Sequence, residues 1–175
     1  MVTTNETPIS AAVKVSDDIR PEEYKAINLF FNRTGAVDKI KPEHNVKDSF
    51  SSLVGGVLKV ISIERGKISC VLDLKPPILN AYSIMHGGAV AAVAARLATA
   101  CVRTVIEKEK DIFLSELSIS YLSAAPNNNK LVIDGSVIRS GRNLTVVAVN
   151  FRLKESGRLA FTSHATFYNM PVSSL

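Results

Sequence analysis

The segment Asn80-Ala81-Tyr82-Ser83-Ile84-Met85-His86-Gly87-Gly88 leads directly into a long alanine-rich stretch. A glycine at the first turn of a helix offers a free backbone N–H next to the positive end of the helix dipole, which can polarise a carbonyl. Gly87 occupies that position, and the alternative is that Gly87-Gly88 only permits a tight loop-to-helix join. His86 can act as an acid or base, or can bond the loop backbone and shape it. Asn80 carries an amide that both donates and accepts, suited to holding a water or a substrate carbonyl; it also follows Pro76-Pro77, where a turn residue is expected. Further along, Arg139-Ser140-Gly141-Arg142-Asn143 places two guanidinium groups around a tight turn, an arrangement that binds phosphate or simply makes a polar hairpin. From Asn129 to Arg158 six basic residues face two acids, Asp134 and Glu155.

The elements that hold these residues are legible in part. Pro21-Glu22-Glu23 starts a helix that ends at Gly35. A charged linker follows over 36–48. The runs 57–64 and 67–74, joined by Arg65-Gly66, read as a β-hairpin stopped by Pro76-Pro77. Residues 87 to about 107 form the long helix, with Arg96, Thr99, Arg103 and Glu107 on one polar stripe. Four strands follow, at about 113–123, 130–139, 143–153 and 158–168. The order predicts an antiparallel α+β domain, with 1–20 as a mobile tail and 21–175 as one domain whose core spans 50–170.

The 175 residues are 46% hydrophobic and 21% charged, with a formal charge of +5, within the range of water-soluble globular domains. No apolar run approaches the length of a membrane span. The first 18 residues lack the pattern of a secretory or mitochondrial leader, which leads to the expectation of a cytoplasmic protein. Ser173-Ser174-Leu175 is a weak match to the Ser-Lys-Leu peroxisomal address, lacking its basic middle residue. Cys70 and Cys101 have no metal or redox spacing, so no metal site is expected. The basic stretch has few stacking aromatics and no nucleic-acid motif, which argues against a nucleic-acid partner.

Three pieces at these separations, 80–88, 118–125 and 141–144, carry a resemblance to the hotdog-fold thioesterases. The group is that of the small acyl-CoA thioesterases, which includes the phenylacetate-pathway enzyme and human thioesterase superfamily member 2. The resemblance implies a sheet wrapped around the long helix, and sites at the interface of a homodimer or a homotetramer. It implies hydrolysis of an acyl-CoA to a carboxylic acid and coenzyme A, with no cofactor beyond the coenzyme A of the substrate. It assigns Gly87 to the thioester carbonyl, Asn80 to the water or thioester, and His86 to the entrance. Tyr121, Leu122 and Ser123, with Arg139, Ser140, Gly141, Arg142, Asn143 and Leu144, match stretches that grip coenzyme A.

Two positions depart from the pattern. The carboxylate that serves as general base or nucleophile falls nine residues after His86, where this chain has Ala95, and the helix from Gly87 to Ile106 contains no acid. A helper Ser or Thr on the next strand is replaced by Leu114. Simple alternation puts Glu116 on the face of Leu114, which makes it a candidate replacement base. The alternatives are a protein that binds CoA thioesters without cleaving them, and a subunit of a mixed hotdog oligomer.

Overall fold

A helix as thin as Gly87–Arg103 can be approached closely from one side. Its buried residues, Ala89, Val90, Val93, Ala94, Leu97, Ala98, Cys101 and Val102, recur in adjacent pairs every four positions and form one continuous stripe. A computed structural model shows what that stripe packs against; it describes residues 15–34, 42, 45–107 and 109–171. The chain divides into two compact units, residues 1–49 and 50–175.

The first unit contains helix α1 (Pro21–Thr34), with Glu22 and Glu23 in its first turn. The Arg20 backbone N–H donates to Glu23 Oε2 at 3.1 Å, and the Arg20 guanidinium pairs with the same carboxylate. That partner holds the Glu23 carboxyl below its ordinary range. The side chain of Glu23, in the first turn, thus reaches back to satisfy the N–H of the residue before the helix.

Apart from Ser49, the first residue of α2, the second unit holds the remaining elements. These are α2 (Ser49–Val57), β1 (Leu58–Glu64), β2 (Lys67–Asp73), a short 3-10 turn at Pro76–Ile78, α3 (Gly87–Arg103), β3 (Lys110–Tyr121), β4 (Lys130–Ser140), β5 (Leu144–Leu153) and β6 (Leu159–Pro171). They form one six-stranded antiparallel sheet in the order β1-β2-β4-β5-β6-β3. The β1–β2 turn closes on Gly66 at φ 77°, a left-handed conformation that glycine adopts without strain. Burial alternates along β2, β4 and β5. The inward residues, among them Leu72, Ile133, Val147, Val149 and Phe151, meet the α3 stripe. A sheet wrapped around one long helix is the hotdog fold, as the motifs implied.

Gly135 shows how close the approach is. A Cβ built there would lie 2.7 Å from Cys101 Sγ and 3.1 Å from Leu97 Cγ. The strand therefore carries glycine where the helix presses hardest on it. Both cysteines are buried free thiols, and burial pushes the Cys101 thiol up to about 11.

Helix α2 has no counterpart in the sequence reading, which ran from linker to strand. Its composition, Ser-Phe-Ser-Ser-Leu-Val-Gly-Gly-Val, carries weak helix propensity. Tertiary contacts override it: Val54 and Val57 are buried. The Arg96 guanidinium, on α3, donates to the Ser51 carbonyl at 3.0 Å.

Candidate active site and anion cleft

The entrance loop is built from the side chain of Asn80. Its Oδ1 accepts from the backbone N–H groups of Tyr82 at 2.9 Å and Ile84 at 3.3 Å. The Asn80 N–H donates to the Ile84 carbonyl at 2.9 Å, and Ser83 turns the chain at φ 57°. Both lone pairs of the amide oxygen are thereby engaged, and Nδ2 makes no hydrogen bond among the described residues. Met85 then donates to Ala125 and His86 to Ile78, which fixes the loop between its neighbours.

His86 is the N-cap of α3: its Nδ1 accepts from the Gly88 N–H at 2.9 Å. Nδ1 is therefore the unprotonated nitrogen, and the ring shapes the helix start in the way one of the two sequence readings gave. The next two amides, Ala89 and Val90, donate to the His86 carbonyl. Gly87 N–H is left with no hydrogen-bond partner among the described residues.

That amide borders a cleft of about 370 Å³ lined by Asn80, Gly87, Tyr121, Leu122, Ser123 and Phe161, among others. The Tyr121 hydroxyl donates to the Gly87 carbonyl at 3.1 Å. Its ring stacks edge-on against Phe161, centroids 5.8 Å apart, so the aromatic pair walls one side of the cleft. Ser123 Oγ is buried and has no partner among the described residues. No carboxylate and no histidine is among the residues lining the cleft.

Ala95 lies half-buried on α3, and its carbonyl accepts from Thr99 Oγ1 at 2.8 Å. Arg96 reaches to Ser51, and Arg103 donates to the Lys110 carbonyl at 2.8 Å. The polar stripe on α3 thus anchors backbone around the helix. The placement of Glu116 on the face of Leu114 is corrected by a β-bulge. The β3–β6 register runs Leu114 to Phe167 and then Glu116 to Thr166, with Ser115 as the extra residue. A bulge resets the alternation. Leu114 stays on the α3 side, opposite the buried Phe167, while Glu116 is exposed on the outer face of the sheet.

The arginine turn forms a second cleft, of about 320 Å³, lined by Arg139, Gly141, Arg142, Asn143, Leu144 and Val146. Gly141 N–H donates to the Leu144 carbonyl at 2.8 Å, closing the turn. Neither guanidinium takes part in an ion pair among the described residues. Two buried residues that the sequence reading passed over brace this turn. Asn169 Nδ2 donates to the Gly141 carbonyl and to Thr145 Oγ1, both at 3.0 Å. Ser140 Oγ lies 3.2 Å from Thr145 Oγ1. The only sequence signal was an amide at an inward strand position, which a buried bond must satisfy.

The structure therefore brings Tyr121, Leu122 and Ser123 together with Asn80 and Gly87. It leaves Arg139 to Leu144 at the other end of the sheet. On β6, Tyr121 is registered with Phe161 and Leu144 with Tyr168. The separation within one chain is roughly 23 Å at the strand rise per residue. Among the described residues, no group of His, Cys, Asp and Glu can hold a metal, and no helix is long and apolar enough to cross a membrane. Ser173 to Leu175 and the first 14 residues of the expected N-terminal tail lie outside the described residues.

Comparison with known proteins agrees with this geometry. The thioesterase superfamily profile matches residues 82–160. The chain is 24% identical over 104 residues to acyl-coenzyme A thioesterase 13 of Homo sapiens, covering 59% of this chain and 74% of that protein. The crystal structure of zebra fish thioesterase superfamily member 2 superposes with a TM-score of 0.65 at 21% identity, covering 72% of this chain and 89% of that one. A Streptococcus mutans protein solved bound to acetyl CoA superposes with a TM-score of 0.60 at 21% identity, covering 65% of this chain and 89% of that one. The resemblance to hotdog-fold thioesterases drawn from the motifs is thus shared by profile, curated relative and fold.

Proposed function

We propose that this thioesterase-like protein binds acyl-CoA thioesters and hydrolyses them slowly to a carboxylic acid and coenzyme A. One observation carries the reading: a Gly87 N–H at the start of α3 with no partner among the described residues, in a cleft it shares with Asn80. In hydrolysis, water adds to the thioester carbonyl carbon, the carbonyl oxygen takes the negative charge, and the C–S bond breaks with the proton passing to sulfur. Gly87 N–H and Asn80 Nδ2–H are the donors for that oxyanion, reinforced by the helix dipole. No group in the cleft takes the proton from water. A missing general base costs about 10²–10⁴ in rate, which sets the expectation of slow turnover.

The phosphates of coenzyme A are assigned to Arg139 and Arg142. Their distance from Gly87 in one chain argues for a site shared between two copies. β3 is an edge strand of the sheet, and such an edge calls for a partner. Antiparallel pairing of two β3 edges about a twofold axis near Leu117 brings the entrance of one copy to the arginine turn of the other. The second reading, a binding protein without turnover, is favoured by the methyl group of Ala95.

One experiment separates the two readings. Wild type and Ala95→Asp are assayed against a panel of acyl-CoAs, with binding followed by calorimetry. Heat of binding with slow turnover that the substitution raises by two to four orders of magnitude, on the order of the loss above, supports the enzyme. Binding with no turnover in the wild type supports the binding protein. Absence of binding to every acyl-CoA and to free CoA overturns both.

A further inference from the structure

Helix α3 begins with two glycines in succession. That is the backbone with the fewest intrinsic limits on its torsions, yet a donor that serves an oxyanion has to be aimed. The peptide groups on both sides of the Gly87 Cα are nonetheless held. In the one before it, the His86 carbonyl accepts from the N–H groups of Ala89 at 2.9 Å and Val90 at 3.1 Å. Two donors on one carbonyl polarise that peptide and strengthen its own N–H, which is that of Gly87. The peptide after it is gripped at both ends. Its N–H, that of Gly88, donates to His86 Nδ1 at 2.9 Å, and its carbonyl, that of Gly87, accepts from the Tyr121 hydroxyl at 3.1 Å. The first three of these bonds lie within the helix and its cap, whereas the fourth comes from the end of β3.

The Tyr121 ring is braced for that task. It meets Phe161 edge-on, and Phe161 meets Phe151 in the same way, each pair with centroids 5.8 Å apart. Phe151 and Phe161 are buried, while Tyr121 is 56% exposed. A hydroxyl on so exposed a side chain can be satisfied by water, so solvation alone does not turn it towards a backbone carbonyl. The line of three rings, anchored in the core, holds the plane in which the hydroxyl lies. The ring also lies against the glycine itself. A Cβ built at Gly87 would stand 3.4 Å from the Tyr121 hydroxyl oxygen and 3.5 Å from two of its ring carbons.

We propose that Tyr121 is a positioning residue for thioester hydrolysis: its hydroxyl holds the Gly87–Gly88 peptide so that the Gly87 N–H points at the developing oxyanion. This rests on the reading of the Gly87 N–H as the oxyanion donor. A donor fixed before the reaction needs no reorganisation when the charge appears, and a rigid second layer of contacts is what fixes it. The role differs from the contact with coenzyme A that the resemblance implied for Tyr121. A phenol has one proton to donate, and here the Gly87 carbonyl takes it.

Tyr121→Phe keeps the ring and its packing and removes the hydroxyl alone. Turnover is compared with and without this substitution in the Ala95→Asp background. In the slow native background, infrared spectroscopy follows saturating acetyl-CoA labelled isotopically at the thioester carbonyl. Loss of the hydroxyl is expected to lower kcat about tenfold, part of the roughly 10²–10³ that deleting an oxyanion donor costs. KM and the Kd of free coenzyme A are expected to stay as they were. The labelled carbonyl is expected to absorb at lower frequency on the native chain than in water, and to move back and broaden on Tyr121→Phe. A carbonyl band and a kcat that both ignore the substitution overturn the proposal and leave the Gly87 reading standing. A raised KM and a weaker Kd for free coenzyme A at unchanged kcat also overturn it, and assign the hydroxyl to the coenzyme. A carbonyl band on the native chain that matches the one in water removes the Gly87 reading, and the proposal with it.

Discussion

At the entrance, one side chain serves two purposes that a pair of substitutions can separate. Asn80 uses its oxygen to close the loop, and its Nδ2 makes no hydrogen bond among the described residues, which leaves it available as the proposed oxyanion donor. Asn80→Asp keeps the acceptor and removes the donor. It is expected to hold the melting temperature and, in the Ala95→Asp background, to lower kcat by about 10²–10³, the effect of deleting one oxyanion donor. Asn80→Ala removes both and is expected to lower the melting temperature as well. A catalytic loss with Ala but none with Asp would make Asn80 purely a turn residue. Gly88 supports a companion prediction. A Cβ there would stand 3.2 Å from His86 Nδ1, on the bond that caps α3. Gly88→Ala is expected to cost about 0.5–2 kcal/mol, the usual value of a lost N-cap, measured by urea unfolding.

Elements were legible where their period was unbroken. The hairpin 57–74, the alanine-rich helix and the four later strands stand within a few residues of their expected bounds. What escaped the sequence were the places where tertiary structure overrides local preference. Helix α2 forms from a Ser- and Gly-rich segment because Val54 and Val57 are buried. The bulge at Ser115 reverses the facing of Glu116, and no propensity announces an extra residue in a strand. The entrance residues were legible because they are contiguous, whereas Asn169, which braces the arginine turn from β6, is remote in sequence from the turn it holds. The pressure of α3 on β4 is testable at Gly135. Gly135→Ala places a methyl group against Cys101 and Leu97 in a close-packed core, and is expected to destabilise by about 1–3 kcal/mol. An unchanged urea midpoint would mean that the helix can withdraw without loss. The same packing seals the thiols, since Cys101 is fully buried and its thiol is raised to about 11. At neutral pH the native chain is expected to resist thiol reagents, and both cysteines are expected to react once it is unfolded.

For the whole molecule, the decisive matter is whether one chain holds a complete site. Along β6 the entrance cleft and the arginine turn are seven register positions apart, Phe161 to Tyr168. Pairing of β3 edges would bring the cleft of one copy to the turn of the other. If Arg142 holds a coenzyme A phosphate as proposed, Arg142→Gln is expected to weaken CoA binding and to flatten its salt dependence, since a contact of that kind is sensitive to ionic screening. Asn80→Asp spoils the other half of the site. If sites are shared, a dimer containing one chain of each variant has one site with both defects and one with neither. Random re-association of equal amounts gives mixed pairs half of the time, so about a quarter of all sites are restored in a symmetric dimer. Mixing the two variants in the Ala95→Asp background, after mild dissociation and re-association, should therefore recover about a quarter of the parent turnover. If each chain holds its own site, every site carries one defect whatever its partner, and mixing recovers nothing beyond the mean of the two variants.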